Sequence, residues 1–166
     1  MSAQPEGATL VEKTVGDKRI KTTVSAHVLL VGRGIGSTES VLLVRLAYKD
    51  QRGGKWSFPG GFVDEGEELG GALLREVIEE VGVRLRGWEQ VDVVPLLDQE
   101  HPHISFLFLC DAWEGEVRCQ SRELLEAAWF DRCAFAQLAQ TGALAYPVMR
   151  QQVACLGWPA EGETPA

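Results

Sequence analysis

The sequence predicts a single α/β domain in which a mixed β-sheet is flanked by helices. The chain has 166 residues, enough for one sizeable core and too few for two comfortable ones. Its content, 45% hydrophobic and 24% charged, is that of an ordinary globular protein. Segments of strand character come first, followed by one acidic helix, further strands, and helices at the C-terminus. That order suits helices packed over a sheet in layers.

Along the chain, "LVEKTV" (10–15) and "IKTTVSAHVLLVG" (20–32) flank a Gly-Asp turn and read as a hairpin running into a longer strand. "GRGIGSTES" (32–40) is a Gly/Ser loop. It is not a dinucleotide-binding turn, because such a turn opens a helix and "STESVLLV" is strand-like. "VLLVRLAY" (41–48) is nearly continuous in apolar residues and suits a buried strand, and "KDQRGGK" (49–55) is a basic loop. "WSFPGGFVDEGE" (56–67) reads as a bent loop entering a helix over 68–82.

Three strands follow, in 88–98, 103–113 and 126–131; Pro95 confines part of the first to a sheet edge or bulge. "RCAFAQLAQTG" (132–142) has apolar residues at helical spacing and a Gly to end the helix. "YPVMRQQVACLG" (146–157) reads as a last helix with Pro147 in its first turn. The expected organisation is an N-terminal extension over 1–20 with its hairpin, a domain over 21–156, and a flexible tail over 157–166.

The net charge of −8 argues against a nucleic-acid polymer as partner. Its distribution is uneven: 1–55 carries +4, 56–100 carries −8 and 101–166 carries −4. No apolar run approaches a membrane span, and the N-terminus lacks the pattern of a secretion signal. Cys110, Cys119, Cys133 and Cys155 are widely spaced with no C-x-x-C pair, which suits free thiols in a reducing cytoplasm.

Most of the negative charge sits in "GGFVDEGEELGGALLREVIEEVGV" (60–83), where seven carboxylates meet a single Arg75. On a wheel at 100° per residue, Leu73, Leu74, Val77, Ile78 and Val81 form one apolar arc. Glu76, Glu79 and Glu80 form another, with Arg75 at its border, i, i+4 from Glu79; Gly82 supplies a left-handed cap. Like charges at this spacing repel, and one Arg cannot neutralise three acids. Hard divalent cations can, since Mg²⁺ and Mn²⁺ prefer oxygen ligands. Gly60 and Gly61 before the helix let backbone approach an ion or phosphate closely.

Gly61, Glu67, Arg75-Glu76-Val77, Glu79-Glu80 and Gly82-Val83 resemble the Nudix box, G-x5-E-x7-R-E-U-x-E-E-x-G-U, without a mismatch. More loosely, "ESVLLVR", "KWSFPGG", "HISFLFLCDAWEGE" and the spacing from Glu123 to Trp129 resemble MutT-type members in the expected order. The resemblance implies an α/β/α sandwich and metal-dependent hydrolysis of a nucleoside diphosphate linked to another moiety, with Mg²⁺ or Mn²⁺ as cofactor. It also implies that Glu76, Glu79, Glu80 and the Gly60 carbonyl bind metal. Glu76, Glu80 and Arg75 are then the catalytic set, one glutamate (most often at the Glu76 position) acting as general base and Arg75 orienting the others. Glu67 supports them, and Glu123, in competition with Glu126, is the distant carboxylate that some members place on a metal.

Substrate phosphates need positive charge, for which Arg45 at a strand end and Lys55 in the basic loop are candidates. Trp56, Phe106 and Phe108 are candidates to stack a base or to pack the core. His101 and His103 are expected at the surface or on an edge strand. The substrate reading is a nucleoside triphosphate, including an oxidised purine nucleotide, cleaved to nucleoside monophosphate and pyrophosphate. ADP-ribose or another NDP-sugar is the enzymatic alternative, and a non-catalytic nucleotide-sensing domain is the alternative of another class. A homodimer is common in the family, but the sequence names no interface.

Overall fold

The computed structural model describes residues 22–33, 39–99 and 101–159; the first arm of the expected N-terminal hairpin and residues 160–166 lie outside them. The elements are β1 (Thr23–Arg33), β2 (Glu39–Leu46), β3 (Trp56–Ser57), β4 (Gly60–Phe62), α1 (Leu69–Val81), β5 (Arg84–Leu96), β6 (His103–Glu114), β7 (Leu124–Asp131), α2 (Arg132–Gln140) and α3 (Met149–Gln152), then a 3-10 turn, Val153–Leu156.

The sheet is mixed, with strands in the order β3-β2-β1-β6-β5, β4 pairing with β1 and β7 with β2. β1 is its axis. It runs parallel to β6 from Thr23↔His103 to Leu30↔Cys110, while its first half also pairs antiparallel with β4 and its last residues with β2. The antiparallel return from Arg33 to Glu39 shows why a Gly-rich segment here leads to a strand rather than a phosphate-binding helix. β5 is the outer strand, with irregular register at three places before Asp92 and none at Pro95. Pro95 is tolerated because an outer strand leaves one edge unpaired.

Alternation along β1 and β2 sends residues to two cores. Ala26, Val28, Leu30, Leu42, Val44 and Leu46 pack under α1 with Leu73, Val77 and Val81. Leu29, Val31, Val41 and Leu43 pack on the other face with Phe58, Phe135 of α2, Met149 of α3 and Val153. The result is the expected α/β sandwich. Gly82 caps α1 at φ 74°, its N–H donating to Ile78 O, and the Asp131 side chain caps α2 by accepting from Ala134 N at 2.9 Å.

Four local expectations change. The bent loop of 56–67 holds two short strands, because Trp56 and Ser57 pair with β2 while Gly60–Phe62 pair with β1. Ile78, assigned to the apolar arc, is 40% exposed, since the arc that fits the sheet is centred on Leu73, Val77 and Val81. The last helix tightens into a 3-10 turn after Gln152 and ends at Gly157, φ 73°. Trp158 lies within the stretch expected to fray, yet it is buried against Phe135, so the core reaches beyond 156. All four cysteines are free thiols, and among the described residues no helix is long and apolar enough to cross a membrane.

Candidate active site

The β1–β4 pairing brings the start of α1 and the middle of the sheet together. Gly60 stands at φ 146° against β1, where a Cβ would lie 2.2 Å from Ala26 O; only glycine fits so close a backbone crossing. A Cβ on Gly61 would instead lie 2.5 Å from Glu76 Cδ. The tandem glycines thus serve two ends: one lets two strands meet, and the other makes room for a carboxylate.

Arg75 holds the acidic helix together. Its Nε and Nη2 donate to Glu67 Oε1 and Oε2, both at 2.9 Å, and Nη1 donates to Glu76 Oε1 at 2.7 Å. Nη2 reaches Phe62 O at 3.1 Å, and Glu79 Oε2 lies 3.6 Å from Nη1. Paired with Arg75 and accepting from Asp64 N, the Glu67 carboxyl is held down to about 2. Glu80 is 5% exposed and accepts from Gly60 N at 2.9 Å. Burial pushes its pKa up to about 8, and the neighbouring charges of Glu76, Glu123 and Glu79 act in the same direction. Burial also raises Glu76, although Arg75 opposes the shift.

A cleft of about 170 Å³ opens beside these acids, lined on one side by Gly60, Gly61, Phe62, Asp64 and Glu76. Its other wall is Ser25, His27, Tyr48, Arg52, His103, Glu123 and Tyr146. Arg52 is held in place by both its neighbours and its charge. The guanidinium lies 4.7 Å from the Tyr48 ring centre, Nη1 donates to Tyr146 Oη at 2.7 Å, and Nη2 pairs with Asp50 Oδ2 at 2.5 Å. Burial together with the Glu123 and Glu80 charges pushes Tyr48 up to about 12. His27 is half-buried, and burial with nearby His103 lowers it to about 4.

The predicted residues therefore divide. Gly60, Glu76 and Glu123 line the cleft, Glu80 sits behind Gly60, and Glu79 stands at the solvent side with 59% of its side chain exposed. Glu126 pairs instead with Arg45, at 3.8 Å. Arg45 donates Nε to Gly54 O at 3.0 Å and is not among the residues that line the cleft. Lys55 is half-buried outside the lining. Trp56 packs edge-on to Phe130 at 4.7 Å, and Phe108 is buried under α1 beside half-buried Phe106, so none of the three faces the cleft. His103 is 2% exposed on an inner strand, contrary to its expected place at the surface or edge, because β6 lies between β1 and β5.

Sequence reasoning missed Ser25, His27, Tyr48, Arg52 and Tyr146. Only Arg52 carried a legible signal, as one of three cations in a basic loop.

Among the described residues, no three His, Cys, Asp or Glu side chains stand in a ready cation cage. Like charges on one helix arc part from each other, and here Glu76 and Glu80 each take a protein N–H donor. Their chemistry still fits a hard divalent cation: several carboxylates surround a buried one, and all are oxygen donors.

The comparisons agree with this geometry. The family model for the NUDIX domain matches residues 21–152. The NAD-capped RNA hydrolase NudC of Photorhabdus laumondii is 35% identical over 98 residues, covering 58% of this chain and 36% of that protein. The chain spans less than half the length of the curated relatives it matches. A NUDIX hydrolase from Nitrosomonas europaea has the same fold, with TM-score 0.68, 19% identity, and coverage of 88% of this chain and 98% of that one. So does the NUDIX domain of Shewanella oneidensis NrtR, solved with ADP ribose, with TM-score 0.64, 20% identity, and coverage of 79% and 86%. With the family model matched over most of its length, the chain belongs to the Nudix family.

Proposed function

We propose that this chain is a pyrophosphohydrolase that cleaves the diphosphate linking a nucleoside to a second moiety. The observation that carries the substrate class is the cleft's positive charge. Arg52 is the one Lys or Arg among the described residues that line it, since Arg45 and Lys55 lie elsewhere. A single cation suits the two charges of an internal diphosphate better than the four of a nucleoside triphosphate, so the NDP-linked reading takes precedence over the triphosphate one. The relatives named for NAD-capped RNA and ADP ribose support this order. A diphosphate carried on an RNA end therefore belongs among the candidates despite the net charge of −8.

In this reading Glu79, Glu80, Glu123 and the Gly60 carbonyl would hold Mg²⁺ or Mn²⁺, which when bound neutralises diphosphate charge and acidifies water, and Glu76 serves as the base instead. Glu80 accepts from Gly60 N through Oε2, which leaves Oε1 as its ligand atom. Arg75 fixes Glu76 through Oε1 and leaves Oε2 as the atom that accepts a proton from water. Glu67 locks Arg75 from its far side. Arg52 offers its guanidinium to a phosphate oxygen, which competes with Asp50 for it.

The test is a panel of NDP-sugars, dinucleotides, NAD-capped RNA and nucleoside triphosphates, with Mg²⁺ or Mn²⁺, comparing wild type with Glu79→Gln and Glu80→Gln. Wild type should turn over NDP-linked compounds in preference to triphosphates, and both variants should lose about 10²–10⁴-fold in kcat while remaining folded. Full activity in both variants would overturn the assignment of these glutamates. Nucleotide binding without turnover would make the domain a sensor, and a preference for triphosphates would restore the other substrate order.

A further inference from the structure

One polar group in the cleft has no role in the hydrolysis described above. Ser25 is 1% exposed and lines the cleft, and its Oγ is a buried polar side-chain atom with no hydrogen-bond partner. An orphaned buried hydroxyl costs stability unless something else satisfies it. The neighbouring serine is accounted for: Ser105, opposite Ser25 in the β1–β6 register, meets His27 Nδ1 at 3.4 Å.

His103, two residues before Ser105, lines the same cleft. Its Nδ1 lies 2.9 Å from His101 O, and a carbonyl can only accept, so the proton of the neutral ring sits on Nδ1. Nε2 is then an acceptor. Ser25 stands diagonally across β1–β6 from His103, because Thr23 is the residue directly opposite it. The two residues therefore stand on adjacent strands and line one cleft.

The walls around this pair are aromatic. Phe62, opposite Ser25 in the β1–β4 register, is 43% exposed, and its ring meets His103 edge-to-face at 5.6 Å. The Tyr146 ring meets His103 in the same manner at 6.0 Å. Apolar ring faces around a hydroxyl and an imidazole acceptor describe a slot for a heteroaromatic ring with a polar edge.

We propose that Ser25 and His103, walled by Phe62 and Tyr146, recognise the nucleobase and select the amino edge of adenine. His103 Nε2 accepts from the exocyclic amine, and Ser25 Oγ–H donates to the adjacent ring nitrogen. Hypoxanthine presents the reverse pattern, a carbonyl where adenine has the amine and an N–H where adenine has the bare nitrogen. It leaves His103 facing an acceptor. This inference rests on the reading of a nucleoside diphosphate substrate, but base selection can be measured apart from hydrolysis.

The experiment compares AMP with IMP by equilibrium binding, and ADP-ribose with IDP-ribose by kcat/KM, in wild type, Ser25→Ala and His103→Leu. Wild type should prefer adenine by about tenfold or more in both assays, because His103 Nε2 faces a carbonyl in hypoxanthine while the Ser25 hydroxyl can turn to accept from the ring N–H. His103→Leu should bring the ratio close to one, chiefly through Kd and KM, whereas Ser25→Ala should weaken binding of both bases by about threefold or more. Ser25→Ala should also raise Tm without nucleotide by about 2 °C or more, because it removes an unsatisfied hydroxyl.

Equal binding of AMP and IMP by wild type would overturn the proposal, as would an unchanged ratio in His103→Leu or an unchanged affinity for AMP in Ser25→Ala. A fall in Tm in Ser25→Ala would do so too, because it would give the hydroxyl a structural role. Base selection in binding without hydrolysis would leave this inference standing and remove the enzymatic one; hydrolysis without base selection would do the opposite.

Discussion

One wall of the cleft, from Gly60 to the end of α1, is a single stretch of chain. The rest of its lining, a second wall in sequence terms, gathers Ser25 and His27 from β1, Tyr48 and Arg52 from the segment after β2, His103 from β6, Glu123 from before β7, and Tyr146 from the segment before α3. The first carries acids, one arginine hub and the Phe62 ring; the second carries most of the aromatic rings, hydroxyls, imidazoles and a single guanidinium, with Glu123 as its one acid. A helix can set carboxylates at i, i+3 and i+4 by itself. A wall assembled from five places depends on the register of the whole sheet. The chemistry is local and the recognition is not.

The largest effect expected from this contrast concerns Glu80, which belongs to the local wall but is buried by the sheet. Its folded pKa, about 8, lies above the ordinary value of 4.5. Between these pH values the folded chain therefore holds a proton that the unfolded chain releases. Stability should fall as pH rises through that window and level off above it. With chelator present, wild type should lose on the order of several kcal/mol between pH 5 and 8, read as a Tm fall of about 2–4 °C per kcal/mol. Glu80→Gln should show little slope and should melt above wild type at pH 8. Added Mg²⁺ should raise wild-type Tm at pH 8 more than that of Glu80→Gln. A flat wild-type profile would mean that Glu80 is not desolvated by the sheet.

Next in size is the contrast within the tandem glycines. At Gly60 a Cβ meets backbone, Ala26 O at 2.2 Å, so Gly60→Ala should destabilise the fold by about 2 kcal/mol or more. At Gly61 the Cβ meets only the end of the flexible Glu76 side chain. Gly61→Ala should keep Tm within a few degrees yet lower kcat by about 10²-fold, since it displaces the carboxylate assigned to the proton. Parallel melting and kinetic measurements separate the two, and equal losses of stability would erase the distinction.

Legibility followed the same division. Helix α1, its Gly82 cap, and the grouping of Gly60 with Glu76 could be read because their spacing is a property of one helix and one turn, whereas Glu123 came only from the family resemblance. Glu80's burial could not, because the wheel shows an arc but not what the sheet covers. His103 was misplaced for a similar reason: a sequence does not say that β6 runs parallel beside β1, which makes it an inner strand. Trp56 and Phe108 were sound choices by residue type, but strand alternation and pairing turned them into the two cores. Tyr48, Tyr146 and Ser25 carried no local signal, since each gains its meaning from partners far away in the chain.

The smallest effects compare two arginines that the sequence could not rank. Arg52 binds Tyr146 and Asp50 and lines the cleft, whereas Arg45 is 44% exposed and pairs with Glu126 at 3.8 Å. Arg52→Ala should raise KM for an NDP-linked substrate by about tenfold and cost about 1 kcal/mol of stability through its lost bond to Tyr146. Arg52→Lys should recover part of the KM but not the planar stacking on Tyr48. Arg45→Ala, by contrast, should change KM by less than about twofold and stability by less than about 0.5 kcal/mol, as for an exposed and distant ion pair. If Arg45→Ala were the more damaging of the two, substrate phosphate would have to approach on the side of the Arg45–Glu126 pair. The wall assembled here from five segments would then not be the one that binds it.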